Sequence, residues 1–146
     1  MIALLDVSLL VALFDPEHVH HLIAHDWLAD NRERGWASCP ITENGVLRVL
    51  SNPSRELRVP LAELALLLRR FREHGHHQFW PDDLSILDTD RVNVGRIRGH
   101  KQLTDVYLLA LAVRNGGRFV TFDGGVRLDA VKGARREHLV VLGPTE

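Results

Sequence analysis

LTDVYLLALAVRNGGRFVTFD, residues 103–123, is the stretch from which the fold is read. Thr104 is a good helix N-cap, and Asp105 places an acid in a first helical turn. An unbroken apolar run follows at residues 106–113, and its Ala and Leu content favours helix over strand. A helix that is apolar all round belongs inside the protein. Asn115-Gly116-Gly117 stops it, because Gly takes the backbone conformation needed just past a helix end. Residues 118–122 then read as a strand and Asp123-Gly124-Gly125 as the turn leaving it. In a right-handed α/β layer, strand carboxyl ends and the N-termini of the helices lie at one edge. Asp105 and Asp123 are therefore expected to face one crevice.

Toward the N-terminus, residues 2–5 form the short apolar run of a buried parallel strand. Asp6 ends it, and Ser8 is expected to cap a helix over residues 9–14 that Asp15-Pro16 stops. Residues 18–31 put Val19, Leu22, Ile23 and Trp27 on one face of an amphipathic helix. A second strand is expected at residues 36–39, broken by Pro40, and Thr42-Glu43 starts a helix through Leu50. Pro60 opens a helix to His74 with Leu61, Leu64, Leu68 and Phe71 as its stripe. Residues 78–80 and 139–142 read as further strands, with short helices near Val94 and over 126–131. This alternation argues an α/β fold with a mostly parallel sheet covered on both faces.

A length of 146 residues, 45% hydrophobic and 25% charged, suits one globular domain spanning residues 1–146. A net charge of −1 excludes a passive nucleic-acid coat but not an enzyme with a local basic patch. Cys39 is the only cysteine, so an internal disulfide and a cysteine zinc cluster are both excluded. A reducing, cytoplasmic location fits. The opening MIALLDVSLLVALFD is interrupted by Asp6 and has no basic n-region, so it reads as core, with no membrane partner.

The acids recur at equivalent places. Asp6 follows the first strand, Glu43 stands at a helix start after the second, Asp105 begins the buried helix, and Asp123 follows the fourth strand. Singly, each is explained as a cap, a helix-dipole partner or a turn residue. Together at one sheet edge, these carboxylates repel unless a cation sits among them. Oxygen ligands without cysteine select Mg²⁺ or Mn²⁺, and such an ion can activate a water for attack on phosphorus.

The segments LLDVSLLVAL, ITENGVLRVL, LTDVYLLALA and VTFD, in this order over nearly the whole chain, resemble the PIN-domain nucleases, most closely the VapC-type toxins of toxin–antitoxin pairs. The stretch FWPDDL, residues 79–84, resembles one subgroup of them. The family's acids map to Asp6, Glu43, Asp105 and Asp123, with hydroxyl residues at Ser8, Thr104 and Thr121 supporting them. The resemblance implies a three-layer α/β/α PIN-like fold and Mg²⁺-dependent endoribonuclease activity, with Mn²⁺ able to substitute. It also implies a homodimer inhibited by a cognate antitoxin protein.

Arg96, Arg98, His100 and Lys101 lead directly to Asp105 and can meet RNA phosphates, although a solvated loop would look the same. His21 and His25 stand one helical turn apart, as metal ligands would, but without a third partner they read as the polar side of a helix. A phosphoacceptor receiver-type signalling module also gathers acids at a sheet edge. It needs an acidic pair after the first strand and a late lysine following a strand, whereas Asp6 is followed by Val7, and Lys132 follows no clear strand. A haloacid-dehalogenase-like phosphatase lacks its second acid in Asp6-Val7-Ser8. A catalytically inactive PIN scaffold that only binds RNA or protein is disfavoured by the complete set of acids.

Overall fold

The computed structural model describes residues 1–55 and 59–143. Five parallel strands form its centre: β1 (Ala3–Leu5), β2 (Trp36–Ser38), β3 (His77–Phe79), β4 (Arg118–Thr121) and β5 (Leu139–Val141), in the order β3-β2-β1-β4-β5. The α-helices are α1 (Val7–Phe14), α2 (His21–Asn31), α3 (Pro40–Leu50), α4 (Leu61–Arg72) and α5 (Leu103–Arg114).

Side chains alternate across a strand, so each strand feeds two cores. Leu4 and Phe119, paired in register, face α5 and the stretch from Trp80 to Val92. Ala3, Leu5 and Val120 face the other way, onto α1, α2, α3 and α4. This is the three-layer α/β/α arrangement expected. In α5, Val106 to Ala112 are all buried, and Leu108, Leu109 and Leu111 have no exposure. Truncating such a leucine to alanine costs about 2–5 kcal/mol through lost burial and an unfilled cavity. Asn115 ends α5, with Gly116 at φ +68° and the Gly117 N–H returning to Ala112 O at 2.9 Å.

Several helix starts differ from expectation. Asp6, not Ser8, caps α1, which therefore begins two residues earlier, at Val7. Pro40 does follow the second strand, but it is also the first residue of α3, which starts ahead of Thr42; there its missing N–H costs nothing. Thr42 Oγ1 accepts from the Cys39 N–H at 2.9 Å and donates to Cys39 O at 3.1 Å, fixing that first turn. Gly45 lets α3 approach α1, since a Cβ there would stand 2.5 Å from a Val7 methyl. Gln102 occupies the N-cap position of α5, leaving Thr104 exposed inside its first turn.

The second helix is rotated from the expected face. It starts at His21, so Val19 lies ahead of it, 84% exposed; within it Leu22 is 74% exposed, while Ala24 and Leu28 are buried. His21 Nδ1 lies 2.7 Å from Ala12 O and His25 Nε2 2.9 Å from Leu13 O, so these rings satisfy carbonyls at the end of α1. That explains their one-turn spacing without a metal, although His25 stays exposed as expected. Leu61 of α4 is likewise exposed, and residues 126–131 contain only a 3-10 turn, Leu128–Ala130. Among the described residues no helix is long and apolar enough to cross a membrane.

Candidate active site

The chain adds strands leftward from β1 through β2 to β3, then returns to place β4 on the other side of β1. The gap outside the carboxyl ends of β1 and β4 is thus a topological switch point, where neighbouring connections part and leave a crevice. Asp6 directly follows β1 there, and Thr121 is the last residue of β4. Their side chains meet. Thr121 Oγ1 donates to Asp6 Oδ2 at 2.7 Å, Ser8 Oγ donates to the same oxygen at 3.1 Å, and the Val7 N–H donates to Oδ1 at 2.7 Å. A carboxylate offers roughly four lone-pair positions, so Oδ1 keeps capacity for one more partner. Asp6 is only 7% exposed, and burial raises its pKa above the usual carboxylate range even though these hydrogen bonds pull it down.

The Thr121 hydroxyl also accepts from the Asp123 N–H at 3.0 Å, so one buried atom locks two acids in mutual register. Asp123 Oδ1 in turn accepts from the Gly125 N–H at 2.8 Å, closing the turn after β4. Asp105 arrives from the first turn of α5, whose N-terminus lies at this edge because α5 runs back to feed β4. Gln102 ties the two together by donating from Nε2 to Gly125 O at 2.8 Å. The carboxyl of Asp105 is pushed up to about 7 by burial, then by the Asp6 charge, by a hydrogen bond with Asp123 and by the Asp123 charge. Near neutral pH, Asp105 therefore takes up a proton, because it is buried and stands beside two further acids.

Glu43 sits in the first turn of α3, after β2, and has partners of its own. Its Oε2 accepts from Ser38 Oγ at 2.5 Å and lies 3.3 Å from Arg72 Nη1. Ser38 ends β2, is fully buried, and lies 2.7 Å from His77 Nε2. Because the Ser38 proton goes to Glu43, the His77 Nε2–H donates to Ser38. Burial, then the charge of Arg72, holds His77 down at about 4, so it is neutral in this network. Arg72 also stacks over Phe79, 5.5 Å from the ring centre.

The structure thus brings Asp6, Asp105 and Asp123 together, with Ser8 and Thr121 hydrogen-bonded to Asp6, and turns Glu43 toward Arg72. Thr104 is hydrogen-bonded to none of these acids among the described residues. Arg98, His100 and Lys101 are exposed on the approach to α5, and Arg96 pairs with Asp129 at 3.1 Å. Sequence reasoning passed over Ser38 and Gln102. Ser38 was findable, being a small hydroxyl at a strand end ahead of an acid, as Thr121 is ahead of Asp123.

The donor set is all oxygen and suits a hard divalent cation, whose charge relieves the repulsion that keeps Asp105 protonated. Among the described residues no three acidic or histidine groups are already drawn into ligand geometry, so loading requires side-chain adjustment.

A PIN-domain profile matches residues 3–133, which include all four acids singled out above. Ribonuclease VapC44 of Mycobacterium tuberculosis is 48% identical over 142 residues, 97% of this chain and 100% of its own length. Ribonuclease VapC38 of the same organism is 45% identical over 125 residues, 85% of this chain and 86% of its own. Ribonuclease VapC39 is 41% identical over 135 residues, covering 91% and 96%. Receiver-type and dehalogenase-like readings end with these matches. A parallel sheet with acids gathered at its switch point, matched along most of its length, places this chain in the PIN-domain family, in its VapC branch.

Proposed function

We propose that the protein is a Mg²⁺-dependent endoribonuclease, acting as the toxin of a toxin–antitoxin pair. The observation that carries the reading is the crowding of Asp6, Asp105 and Asp123 at the switch point, which leaves Asp105 half-protonated near pH 7. Ribonuclease-named relatives matching 85% or more of the chain support it. Asp6, Asp105 and Asp123 would hold the cation, with Glu43 joining directly or through water. When bound, such an ion supplies an acidified water and a counter-charge for the phosphate.

The chain's own groups prepare that chemistry. Thr121, Ser8 and the Val7 amide fix the Asp6 carboxylate so that its free lone pair is aimed before any ligand arrives. Asp105 takes up a proton near neutral pH, and that proton must leave before its carboxylate can act as a ligand. Arg98, His100 and Lys101 border the way to α5 and attract the RNA backbone. The antitoxin and a homodimeric state belong to this reading by family relationship; light scattering on the purified protein tests the dimer, and a monomer at micromolar concentration counts against it.

The central test is cleavage of RNA by purified protein with Mg²⁺ or Mn²⁺, with a chelator, and as the Asp105→Asn variant. Cleavage that needs the cation and is lost in the variant supports the reading. Wild-type rates in Asp105→Asn would remove the proposed metal site.

A further inference from the structure

On the α5 side of the sheet, two distant chain segments are pinned together. Val92 and Val131 form an isolated antiparallel bridge. The Asn93 N–H donates to Ala130 O and the Lys132 N–H to Arg91 O, each at 2.9 Å. Beside this joint lies a depression of about 540 Å³ lined by Asn93, Gly95, Arg96, Ile97, Arg98 and Arg127. Its rim carries three guanidinium groups and no carboxylate.

Asp129, itself exposed, bridges two of these cations and orients them. It accepts from Arg127 Nε and Nη2 at 2.9 and 2.8 Å, and from Arg96 Nη1 at 3.1 Å. The Arg127 hydrogen bond, followed by that of Arg96, holds the Asp129 carboxyl down at about 2, so it stays ionised. One acid against two arginines leaves net positive charge, and Arg98 is exposed with no ion pair among the described residues. Guanidinium forks with spare N–H groups match phosphate oxygens in charge and geometry. A second depression, of about 260 Å³, is lined by Arg98, Gly99, His100, Lys101 and Gln102. Arg98 borders both depressions, and the second ends at Gln102, one residue before the helix that carries Asp105.

We propose that the Arg96–Arg98–Arg127 depression is a phosphodiester-binding subsite that grips an RNA strand away from the bond placed at the acids. This rests on the ribonuclease reading and adds to it the route of the rest of the strand, over the loop before α5. It contributes affinity rather than sequence preference, because backbone phosphates are the same at every nucleotide.

The test is binding of a single-stranded RNA long enough to span both places, followed by fluorescence anisotropy in chelator over a salt series. Wild type is compared with Arg98→Ala, Arg127→Ala and, as a charge control in the other helical layer, Arg70→Ala. The subsite predicts roughly three- to tenfold weaker binding for the first two, with a log–log salt slope shallower by about 0.7, and no change for Arg70→Ala. Equal losses in all three variants mean diffuse charge and overturn the subsite, as does binding unchanged in both Arg98→Ala and Arg127→Ala, or absent in wild type. With Mg²⁺ present, the two subsite variants should raise KM for the long RNA severalfold more than KM for a dinucleotide. Arginine-dependent binding without any cleavage would keep the subsite and remove the nuclease reading; normal cleavage without arginine dependence would remove the subsite alone.

Discussion

Two carboxylate sites at the same sheet edge are built alike and left in opposite electrostatic states. At each, a fully buried hydroxyl on the last residue of a strand donates to an acid: Thr121 to Asp6, Ser38 to Glu43. Beyond that hydroxyl the sites diverge. Asp6 faces the further acids Asp105 and Asp123, and burial, then their charge, raises the Asp105 carboxyl to about 7. Glu43 faces the guanidinium of Arg72, with a neutral His77 behind Ser38. Shared architecture positions both acids, but only the first is left with charge that a cation would neutralise. Electrostatic frustration, not the mere presence of an acid at a strand end, marks where a cation gains most.

The largest expected effect falls on the frustrated site. Asp6→Asn or Asp105→Asn should lower metal-dependent RNA cleavage by at least ~100-fold, since an amide is a poor ligand for a hard cation. Glu43→Gln should cost less, because Glu43 already has a cation in Arg72. Single-turnover rates on one RNA rank the three, and a Glu43→Gln loss exceeding that of Asp6→Asn would break the distinction.

Next come the two hydroxyls. Thr121→Val keeps shape but removes the bond to Asp6 and leaves the Asp123 N–H without a partner. A fall of about 10–100-fold in activity or metal affinity is expected, as for other groups that orient a ligand. Ser38→Ala should cost only a few-fold, as Arg72 still holds Glu43. Metal titrations of both variants check the order, which equal effects would erase.

The smallest effects are in stability, and they have opposite signs with pH. Asp105 has a folded pKa raised to about 7 from 3.8, so the folded protein binds more protons than the unfolded chain between those values. In chelator its contribution falls as pH rises through that window, and the full cost is present above about 7. His77 has a folded pKa lowered to about 4 from 6.5, so its contribution is complete above 6.5 and is lost as pH falls toward 4. Both groups are partly exposed, and solvent screening reduces each effect to ~1 kcal/mol. Asp105→Asn should therefore be more stable than wild type at neutral pH in chelator, and Mg²⁺ should reverse that order by stabilising only the wild-type fold. His77→Gln should flatten the acid limb instead. Thermal melts between pH 4 and 8 decide; an Asp105→Asn variant less stable than wild type in chelator would show that the acid has a structural role.

Much of this was legible in the chain. The unbroken apolar run of α5 declared a buried helix, Asn115-Gly116-Gly117 its end, and the alternation of strand and helix the layered sheet. The positions of Asp6, Asp105 and Asp123 at element boundaries were legible too, because local hydrogen bonding decides where strands and helices stop. Helix starts were less so. Ser8 and Thr104 look like caps, but the backbone turned two residues earlier at Asp6 and, for α5, at Gln102. Val19 and Leu22 fit an amphipathic stripe, yet the rings of His21 and His25 bind α1 carbonyls and rotate α2 to bury Ala24 and Leu28 instead.

By itself the sequence determined which acids end which elements, since capping, turn chemistry and apolar periodicity act over a few neighbouring residues. Only the tertiary structure decided their company. Asp6 meets Thr121 across 115 positions of chain, and Ser38 meets His77 across 39. Those encounters follow from β1 pairing with β4 on one side and β2 with β3 on the other. Strand order is set by the burial of both sheet faces at once, a sum over the whole chain that no local stretch records. That order gave Asp105 two acids for neighbours and Glu43 an arginine, and the neighbours, not the residue types, set the charge each site carries.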